Sequence, residues 1–526
     1  MRAMAERHHN LTARLLDANL AHGRGDEVAL CEGERTWTYR ALTDQVARMG
    51  GALAALGVGK GERVAILMRD TLEAAATILG VIRIGAVAVP LSELARPDDL
   101  RESLGHAGAV VAVVDGELEP ALDAIRGHLP ALRDVVCFHP RAAGERDAQA
   151  LCAAATPAAA AAVAPTDPAL LLYSAGFADE AHGVRHDHAS VVAAYESFAV
   201  SYLGLTAGQR VFAVARLSSA FGLGAGLIFP LLAGARALLL PVQPQSRTLL
   251  AAIASFAPDY FLTTPSIYGQ LARDVVASGA PQPLTGVKRA IAGGEGMPDK
   301  LIPRIRAALG AEVEVGYGIT EVMQLALAGI AADDARPGAC GRPLAGVEAR
   351  VVDDDGRPVG PDEIGTLQVR APSMCTGYWT GLDTPAVDLD GWLTTRDRFL
   401  IDAKGVFHHC GRTDDLFKVG GKWVAPGEVE RALISHDAVW EAAVIGVDDE
   451  DGLLKPLAFV VVNVGHQATP ALEAELREFV KQTLAPYKYP RWIEFVDALP
   501  RGPGGRLLRY KLRPARRRRR AETGAV

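Results

Sequence analysis

Short apolar runs alternate with amphipathic segments through the first part of the chain. Residues 63–68 form an apolar run of strand length, and residues 72–84 carry apolar positions at helical spacing. Further apolar runs follow at residues 86–90 and 110–115. Such runs, bounded by turn residues, are typical of strands buried on both faces. Strands and helices in alternation predict an α/β fold in which parallel sheets are flanked by helices.

The pattern changes between residues 347 and 369, where apolar and polar positions alternate over short stretches. The sequence Asp-Asp-Asp-Gly at residues 353–356 is a hairpin-turn signal. We therefore expect this part of the chain to form a β-rich subdomain within the large domain.

A second, smaller α/β unit is predicted towards the C terminus. Residues 439–447 and 456–462 have the character of strands, and residues 471–484 have that of an amphipathic helix. The expected organisation is a large N-terminal domain at residues 1–412 and a small, mobile C-terminal domain at residues 413–526.

Composition narrows the choice of partners. The 526 residues are 49% hydrophobic and 22% charged, enough for more than one large core. A net charge of −7 gives no reason to expect nucleic acid or a membrane surface as partner.

The apolar segment at residues 225–240 contains Pro230 and Arg236 and is shorter than the roughly 20 residues of a membrane helix, so we expect it to be a buried helix and strand. Six scattered cysteines without a close pair predict a reducing, cytoplasmic location.

A charged and bendable segment at residues 410–430 separates the two predicted domains. Gly411 and Arg412 precede two carboxylates, and the sequence Pro-Gly-Glu-Val-Glu then opens a helix. The guanidinium of Arg412 is a strong donor to phosphate or carboxylate. The segment is predicted to be a hinge that carries a ligand contact, and a charged surface hairpin is the alternative.

Two further motifs favour a nucleotide. In the sequence Gly-Tyr-Gly-Ile-Thr-Glu, Tyr317 can stack on a purine, Thr320 can donate to a phosphate and Glu321 can hold Mg²⁺. The small residues of Ala-Gly-Gly-Glu-Gly at residues 292–296 follow a predicted strand and would let a flat ligand lie against the backbone.

Together these motifs resemble those of the AMP-forming acyl and aryl ligases, the adenylate-forming superfamily. The hinge segment is most similar to the benzoate–CoA ligase branch, which carries Gly-Arg-x-Asp-Asp-x-x-Lys-Val-x-Gly-x-Trp-Val followed by Pro and Glu-Val-Glu. The resemblance extends from about Asn10 to Arg513. It implies a ligase that uses ATP and Mg²⁺ to form an aryl-AMP from a small aromatic acid. The small domain then rotates about Asp414, and CoA or another acceptor takes the aryl group.

The resemblance also implies a role for individual residues. Those implied to bind the nucleotide are Ser174, Gly294, Glu295, Tyr317, Asp397 and Arg412. Those implied to line an aryl pocket are Ala220, Phe221, Gly293, Gly318, Gln324 and Leu325. Those implied to be catalytic are Thr320, Glu321 and Arg506, with Glu321 as the metal ligand. Those implied to flank the path of CoA are Gly421, Lys422 and Trp423.

Several positions depart from the family pattern. The phosphate-binding loop, normally rich in Ser, Thr and Gly and ending in Pro-Lys-Gly, has His182 at the lysine position and Asp179 and Glu180 beside it. Arg506 stands where the family has a lysine that bridges the substrate carboxylate and the α-phosphate, and Gln324 stands for a pocket histidine. A guanidinium is wider and flatter than an ammonium and does not simply replace it.

These departures leave three functions open. The first is an aryl-acid ligase that uses CoA. The second is a specialised member, such as an amide-forming ligase or a diazotase that activates nitrite for an aryl amine. The third is a pseudoenzyme that binds nucleotide without turnover. A homodimer is one of the oligomeric states that remain open.

Overall fold

Two large sheets and a smaller C-terminal unit make up the fold. The computed structural model describes residues 9–141, 146–173, 183–279, 284, 286–297, 301–330, 338–379, 383–384, 387–415, 417–419, 422–449, 452–501 and 507–512.

The first sheet is parallel at its centre, where Arg63–Leu67 pairs with Val87–Pro90 on one side and Val111–Asp115 on the other. Antiparallel strands complete the edge that carries Gly183–Asp187. In spatial order the strands are Asp383–Thr384, Gly377–Trp379, Gly183–Asp187, Pro168–Tyr173, Val87–Pro90, Arg63–Leu67, Val111–Asp115, Asp134–Phe138 and Arg146–Asp147.

The second sheet changes from parallel to antiparallel at Val313–Gly318, which pairs in parallel with Arg289–Ala292 and in antiparallel with Leu325–Ile330. In spatial order its strands are Glu348–Val352, Gly365–Arg370, Leu393–Ile401, Phe407–Arg412, Ala339–Pro343, Leu325–Ile330, Val313–Gly318, Arg289–Ala292, Tyr260–Thr263, Arg210–Ala213, Arg236–Leu239, Val28–Glu32 and Arg35–Thr38.

Helices fill the space between and outside the two sheets. Side chains of Tyr39–Ala55 and Leu72–Arg83 share one buried core with strands of both sheets. The threonines that precede these helices accept a hydrogen bond from the backbone of the first turn, at Ala41 and Ala74, and so fix where each helix begins. The other α-helices are Ala18–Ala21, Pro97–Ala107, Glu119–Asp123, Ala148–Ala154, His188–Ala194, Ala220–Leu223, Phe229–Ala233, Ser246–Phe256, Pro265–Ser278, Leu301–Leu309, Pro426–Ile434 and Pro470–Thr483.

Wider and tighter turns complete the helical structure. The π-helical turns are Ala13–Asp17, Tyr195–Leu203 and Gly224–Ile228, and the 3₁₀ turns are Arg126–His128, Thr320–Val322, Thr413–Asp415 and Arg509–Lys511.

The C-terminal unit has its own core. Its sheet consists of Val439–Asp448, Leu454–Val462 and Trp492–Phe495, and a separate ribbon consists of Phe417–Val419 and Lys422–Val424. Two helices, Pro426–Ile434 and Pro470–Thr483, contribute Leu433 and Leu476 to this core.

The predicted α/β class, with helix-flanked parallel sheets and a small C-terminal sheet unit, is confirmed. The strands predicted as a β-rich subdomain form the antiparallel half of the larger sheet, to which Ala339–Pro343 joins them. The domain limits at residues 412 and 413 stay a prediction. Within the described residues, no helix combines the length and the apolar character needed to cross a membrane.

Candidate nucleotide and aryl-acid site

A cavity of about 840 Å³ opens where the larger sheet meets the C-terminal unit. The parallel strands Arg289–Ala292 and Val313–Gly318 end at this cavity, and residues 294–297 and 316–321 form part of its wall. Ligands of open parallel sheets bind at the carboxyl ends of the strands, where the sheet order changes.

Asp397 is the centre of a polar cluster on one side of the cavity. The Tyr317 hydroxyl donates to its Oδ2 at 2.7 Å, and Nε2 of His409 lies 3.3 Å from its Oδ1. Nη1 of Arg412 lies 3.9 Å from the same Oδ1. The Tyr317 ring stacks on His409 and meets Phe399 edge-on at 4.9 Å between centroids. Neighbouring strands hold these groups together, since Asp397 pairs directly with Arg412 across the sheet.

Asp397 is kept ionised although it is only 7% exposed. Burial by itself raises the pKa of a carboxyl, but the contacts from His409, Tyr317 and Arg412 outweigh it and hold the pKa of Asp397 below its ordinary value. A carboxylate has about four lone-pair sites, so two remain for other donors. The group is therefore suited to accept hydroxyls of a ribose.

The hairpin loop between Val313–Gly318 and Leu325–Ile330 carries Thr320 and Glu321. The Tyr378 hydroxyl donates to Oε1 of Glu321 at 2.9 Å. The carbonyl of Thr320 accepts from Nε2 of His186 at 2.8 Å. The loop is thus fixed from the first sheet, through the strands that carry His186 and Tyr378.

Glu321 has the features of a ligand for a hard cation. Burial raises the pKa of its carboxyl, and the hydrogen bond from Tyr378 opposes that rise. Mg²⁺ is commonly bound through one or two carboxylates together with substrate phosphates. Within the described residues, no group of three or more His, Cys, Asp and Glu side chains is arranged so that it could hold a metal ion by itself.

The histidines after residue 182 have different roles. Both ring nitrogens of His186 face protein partners, Thr320 O and Ser190 Oγ, while Nδ1 of His188 accepts from the backbone of Leu11. Burial lowers the pKa of each ring to about 4, so both are neutral. His186 supports the loop of Thr320 and Glu321.

The predicted aryl-pocket residues converge on the same cavity. A side chain at Gly293 would come within 3.1 Å of Leu325 Cδ2 and 3.4 Å of Phe221 Cζ, so the glycine leaves room between them. Ala220 and Phe221 begin a short helix capped by Ser219, whose hydroxyl accepts from the backbone of Gly222 at 3.1 Å. Gln324 is 3% exposed and lines the cavity, as does Gly318.

Glu295 connects the cavity to the C-terminal unit. Both the backbone and the hydroxyl of Ser266 donate to its Oε2, and Nη1 of Arg501 lies 3.7 Å from its Oε1. Burial raises the pKa of Glu295. Arg501 and Leu507 also line the cavity, and these two residues pair with each other on either side of residues 502–506.

Other predicted residues lie partly or wholly beyond what is described. Asp414 belongs to the 3₁₀ turn Thr413–Asp415, and Lys422 and Trp423 belong to the strand Lys422–Val424. The predicted residues outside the described part are Ser174, Gly421 and Arg506, with most of the phosphate-loop segment.

Comparison with known proteins shows the family of this chain. The model of the AMP-binding enzyme family matches residues 17–379, and that of the AMP-binding enzyme C-terminal domain matches residues 428–506. A benzoate–CoA ligase of Thauera aromatica is 36% identical over 513 residues, with 96% of each chain covered. The chain belongs to the AMP-binding enzyme family.

Two solved structures are also similar to this chain. An anthranilate CoA ligase in complex with anthranoyl-AMP has a TM-score of 0.89 at 33% identity, covering 96% of this chain and 97% of that one. An amide bond synthetase of Marinactinospora thermotolerans has a TM-score of 0.83 at 27% identity, covering 96% and 98%. The predicted resemblance to the benzoate–CoA ligase branch is confirmed, and this family member is an ATP-dependent aryl-acid ligase that forms an aryl-AMP.

Sequence reasoning missed three residues that shape the site of this AMP-binding enzyme. His409 and Tyr378 contact the two key carboxylates, and His186 supports the loop between them. Tyr378 and His186 lie far along the chain from their partners, and His409 lies on the strand next to that of Asp397.

Proposed function

We propose that this ligase activates a small aromatic carboxylic acid as its aryl-AMP and passes the aroyl group to CoA. The supporting observation is the continuity of one cavity. It reaches from Tyr317 and Asp397, along the loop of Thr320 and Glu321, to the wall formed by Phe221 and Leu325. Nucleotide and aryl acid would therefore meet beside that loop.

In the first step, an oxygen of the substrate carboxylate attacks the α-phosphorus of ATP, and the bond to pyrophosphate breaks. Asp397 would accept the ribose hydroxyls, and Tyr317 would lie against the adenine. Thr320 would donate to a phosphate, and Glu321 would hold Mg²⁺, which would neutralise phosphate charge. The cation of Arg506 would lie between the carboxylate and the α-phosphate. Catalysis here is mainly positioning and charge stabilisation.

In the second step, the sulfur of CoA attacks the carbonyl carbon of the aryl-AMP, and AMP leaves. The small domain would first rotate about Asp414. Gly421, Lys422 and Trp423 would then flank the pantetheine. Similarity to a benzoate–CoA ligase and an anthranilate CoA ligase supports CoA as the acceptor.

A second acceptor class is favoured by the altered phosphate-loop segment, where Asp179, Glu180 and His182 replace the usual composition. Likeness to an amide bond synthetase supports an amine in place of the thiol. Nitrite, activated for transfer to an aryl amine, belongs to the same specialised class.

The test is a pyrophosphate-release screen across benzoates, cinnamates, aminobenzoates and linear fatty acids, with CoA, an amine or nitrite added in separate arms. We expect release with aryl acids, and mass spectrometry should identify the aroyl-CoA. Pyrophosphate release that occurs only with nitrite or an amine would show that this compound, and not CoA, is the acceptor. Better turnover of fatty acids would overturn the aryl pocket, and AMP binding without any release would identify a pseudoenzyme.

A further inference from the structure

The amide of Gln324 is a buried polar group without a partner in the protein. Neither its Oε1 nor its Nε2 has a hydrogen-bond partner among the described residues, and the side chain is only 3% exposed. Leaving a buried donor or acceptor unpaired costs free energy, so such a group in a ligand cavity points to a partner supplied by the ligand.

The backbone holds this amide in place. Met323 precedes it with a φ of +64°, a left-handed conformation that bulky residues rarely adopt, and its side chain is fully buried. This residue turns the chain from the 3₁₀ turn Thr320–Val322 into the strand Leu325–Ile330. A buried turn next to Glu321 therefore fixes the backbone from which the Gln324 side chain extends.

The surroundings of the amide are apolar and close. Gly224 follows Phe221 by one helical turn and so shares its face. A Cβ at Gly224 would lie 3.1 Å from Nε2 of Gln324 and 2.8 Å from the ring of Phe229, which means that only glycine leaves space there. The hydroxyl of the nearby Ser219 is already engaged with Arg216 O and Gly222 N.

We propose that Gln324 determines specificity by binding an amino or hydroxyl substituent on the ring of the aryl acid. An amide has one acceptor group and one donor group, and a hydroxyl or amino substituent can form a hydrogen bond with either of them. A methyl group of similar size cannot, and it would leave the amide buried and unpaired. This inference rests on the proposed aryl-acid function and names the substrate class within it.

The experiment compares benzoate with the three ring isomers each of amino-, hydroxy- and methylbenzoate. Pyrophosphate release gives kcat/KM, and calorimetry in the presence of AMP gives binding of the same acids. At one ring position we expect the amino or hydroxy acid to exceed the methyl acid by about ten- to a hundredfold, the range for one unpaired buried polar group. In Gln324→Met, which keeps the length of the side chain, this ratio should fall to near one.

Gln368→Met is the matched control. Gln368 is also buried, but its amide is satisfied, since it donates to Thr394 Oγ1 at 2.9 Å and accepts from Arg350 Nε at 2.8 Å. The control should lower Tm and keep the substrate ratio. Gln324→Met should change the ratio and leave Tm unchanged or higher, because it removes a group without a partner.

The outcomes separate the two proposals. One result would be that the enzyme adenylates aryl acids without preferring amino or hydroxy acids to methyl acids, and another would be that the preference survives in Gln324→Met. Either result overturns the role of Gln324 and leaves the aryl-acid function standing. Binding of the substituted acid that depends on Gln324, without pyrophosphate release, keeps the role of Gln324 and overturns the proposed reaction. An absence of both binding and release across the panel overturns both.

Discussion

At the scale of the residue, Asp397 is the group whose ionisation the structure protects most clearly. Two hydrogen-bond partners, Tyr317 and His409, and the nearby guanidinium of Arg412 face a carboxylate that is almost fully buried. A carboxylate in this setting is a good acceptor for a diol and a poor site for anything apolar.

Replacing Asp397 by Ala should therefore weaken AMP binding. We expect a loss of at least tenfold, ~1.4 kcal/mol, because the ribose hydroxyls lose a charged acceptor. Isothermal titration calorimetry with AMP measures it. Asp402→Ala is the control, since Asp402 is another buried aspartate paired with a histidine, His408 at 3.1 Å, and it does not line the cavity. Equal affinities for AMP in the parent and in Asp397→Ala would contradict the assignment of Asp397 to ribose binding.

The hydrogen bond from Tyr378 to Glu321 has a consequence for pH dependence. Burial raises the pKa of Glu321, and this hydrogen bond favours the ionised form and so lowers it. In Tyr378→Phe the pKa of Glu321 should rise further. If ionised Glu321 binds the metal, the acid limb of the pH–rate profile for pyrophosphate release moves to higher pH.

Tyr202→Phe controls for the loss of a tyrosine–glutamate hydrogen bond. The Tyr202 hydroxyl donates to Glu314 at 2.6 Å, and neither residue lines the cavity. The acid limb of the pH–rate profile of Tyr202→Phe should lie at the same pH as that of the parent. An acid limb that stays in place in Tyr378→Phe as well would contradict the metal-ligand role of Glu321.

At the scale of the element, the strand Gly183–Asp187 contributes more than its place in the first sheet. Through His186 it holds the carbonyl of Thr320, at the tip of a hairpin that belongs to the other sheet. The hydrophobic pattern could predict strands of this kind, because an apolar run needs only local information. It could not predict the cross-sheet contact, because residues 186 and 320 come together only when both sheets are formed.

The buried His186 predicts a pH-dependent stability. Its folded pKa of about 4 is below the ordinary 6.5, so the unfolded chain takes up the proton first as pH falls. The stability that the neutral His186 ring contributes is complete above pH 6.5 and is lost as the pH falls towards 4. The loss amounts to about 3 kcal/mol of the free energy of unfolding.

His186→Gln keeps an amide donor for Thr320 O and cannot titrate. Urea unfolding between pH 7 and about 4 should therefore show a shallower loss of stability in this variant than in the parent. His128→Gln, at an exposed histidine, should give the curve of the parent. Parallel curves for His186→Gln and the parent would show that His186 is not the group responsible.

At the scale of the whole molecule, contacts across the cavity hold the C-terminal unit against the large sheet. Arg501 lies near Glu295, and the guanidinium of Arg273 lies 4.0 Å from the centre of the Trp440 ring. Arg501 and Leu507 are thereby turned towards the cavity. We propose that this orientation is the one used for adenylation.

Arg273→Ala should shift the small domain away from this orientation. A cation–π contact at a partly exposed site contributes about 0.5–1 kcal/mol, so single-turnover pyrophosphate release should slow about two- to fivefold. Transfer from a supplied aryl-AMP to CoA should be unaffected or faster. Arg491→Ala is the control, because Arg491 lies 5.0 Å from the Tyr489 ring within the small unit itself. Equal slowing of both half-reactions would argue against a change of orientation.

The sequence by itself determined the alternation of strands and helices and the family. It also showed the hinge segment at residues 410–430 and the motif that contains Tyr317, Thr320 and Glu321. Local spacing and turn chemistry carry that information, and the strand Arg63–Leu67 and the helix Leu72–Arg83 could be predicted from it alone. The roles that family resemblance implies for single residues stay a prediction. The fold brings many of these residues to one cavity: Tyr317, Asp397, Glu321, Ala220, Phe221, Gly318, Gln324 and Leu325.

Only the tertiary structure decided how those residues are held. The proton state of Asp397, the support of Thr320 by His186 and the unpaired amide of Gln324 depend on burial and on partners distant in the chain. The antiparallel extension of the larger sheet was missed for the same reason, since strand pairing joins segments through space. Burial and long-range contacts arise when the chain packs, and no local pattern of residues encodes them.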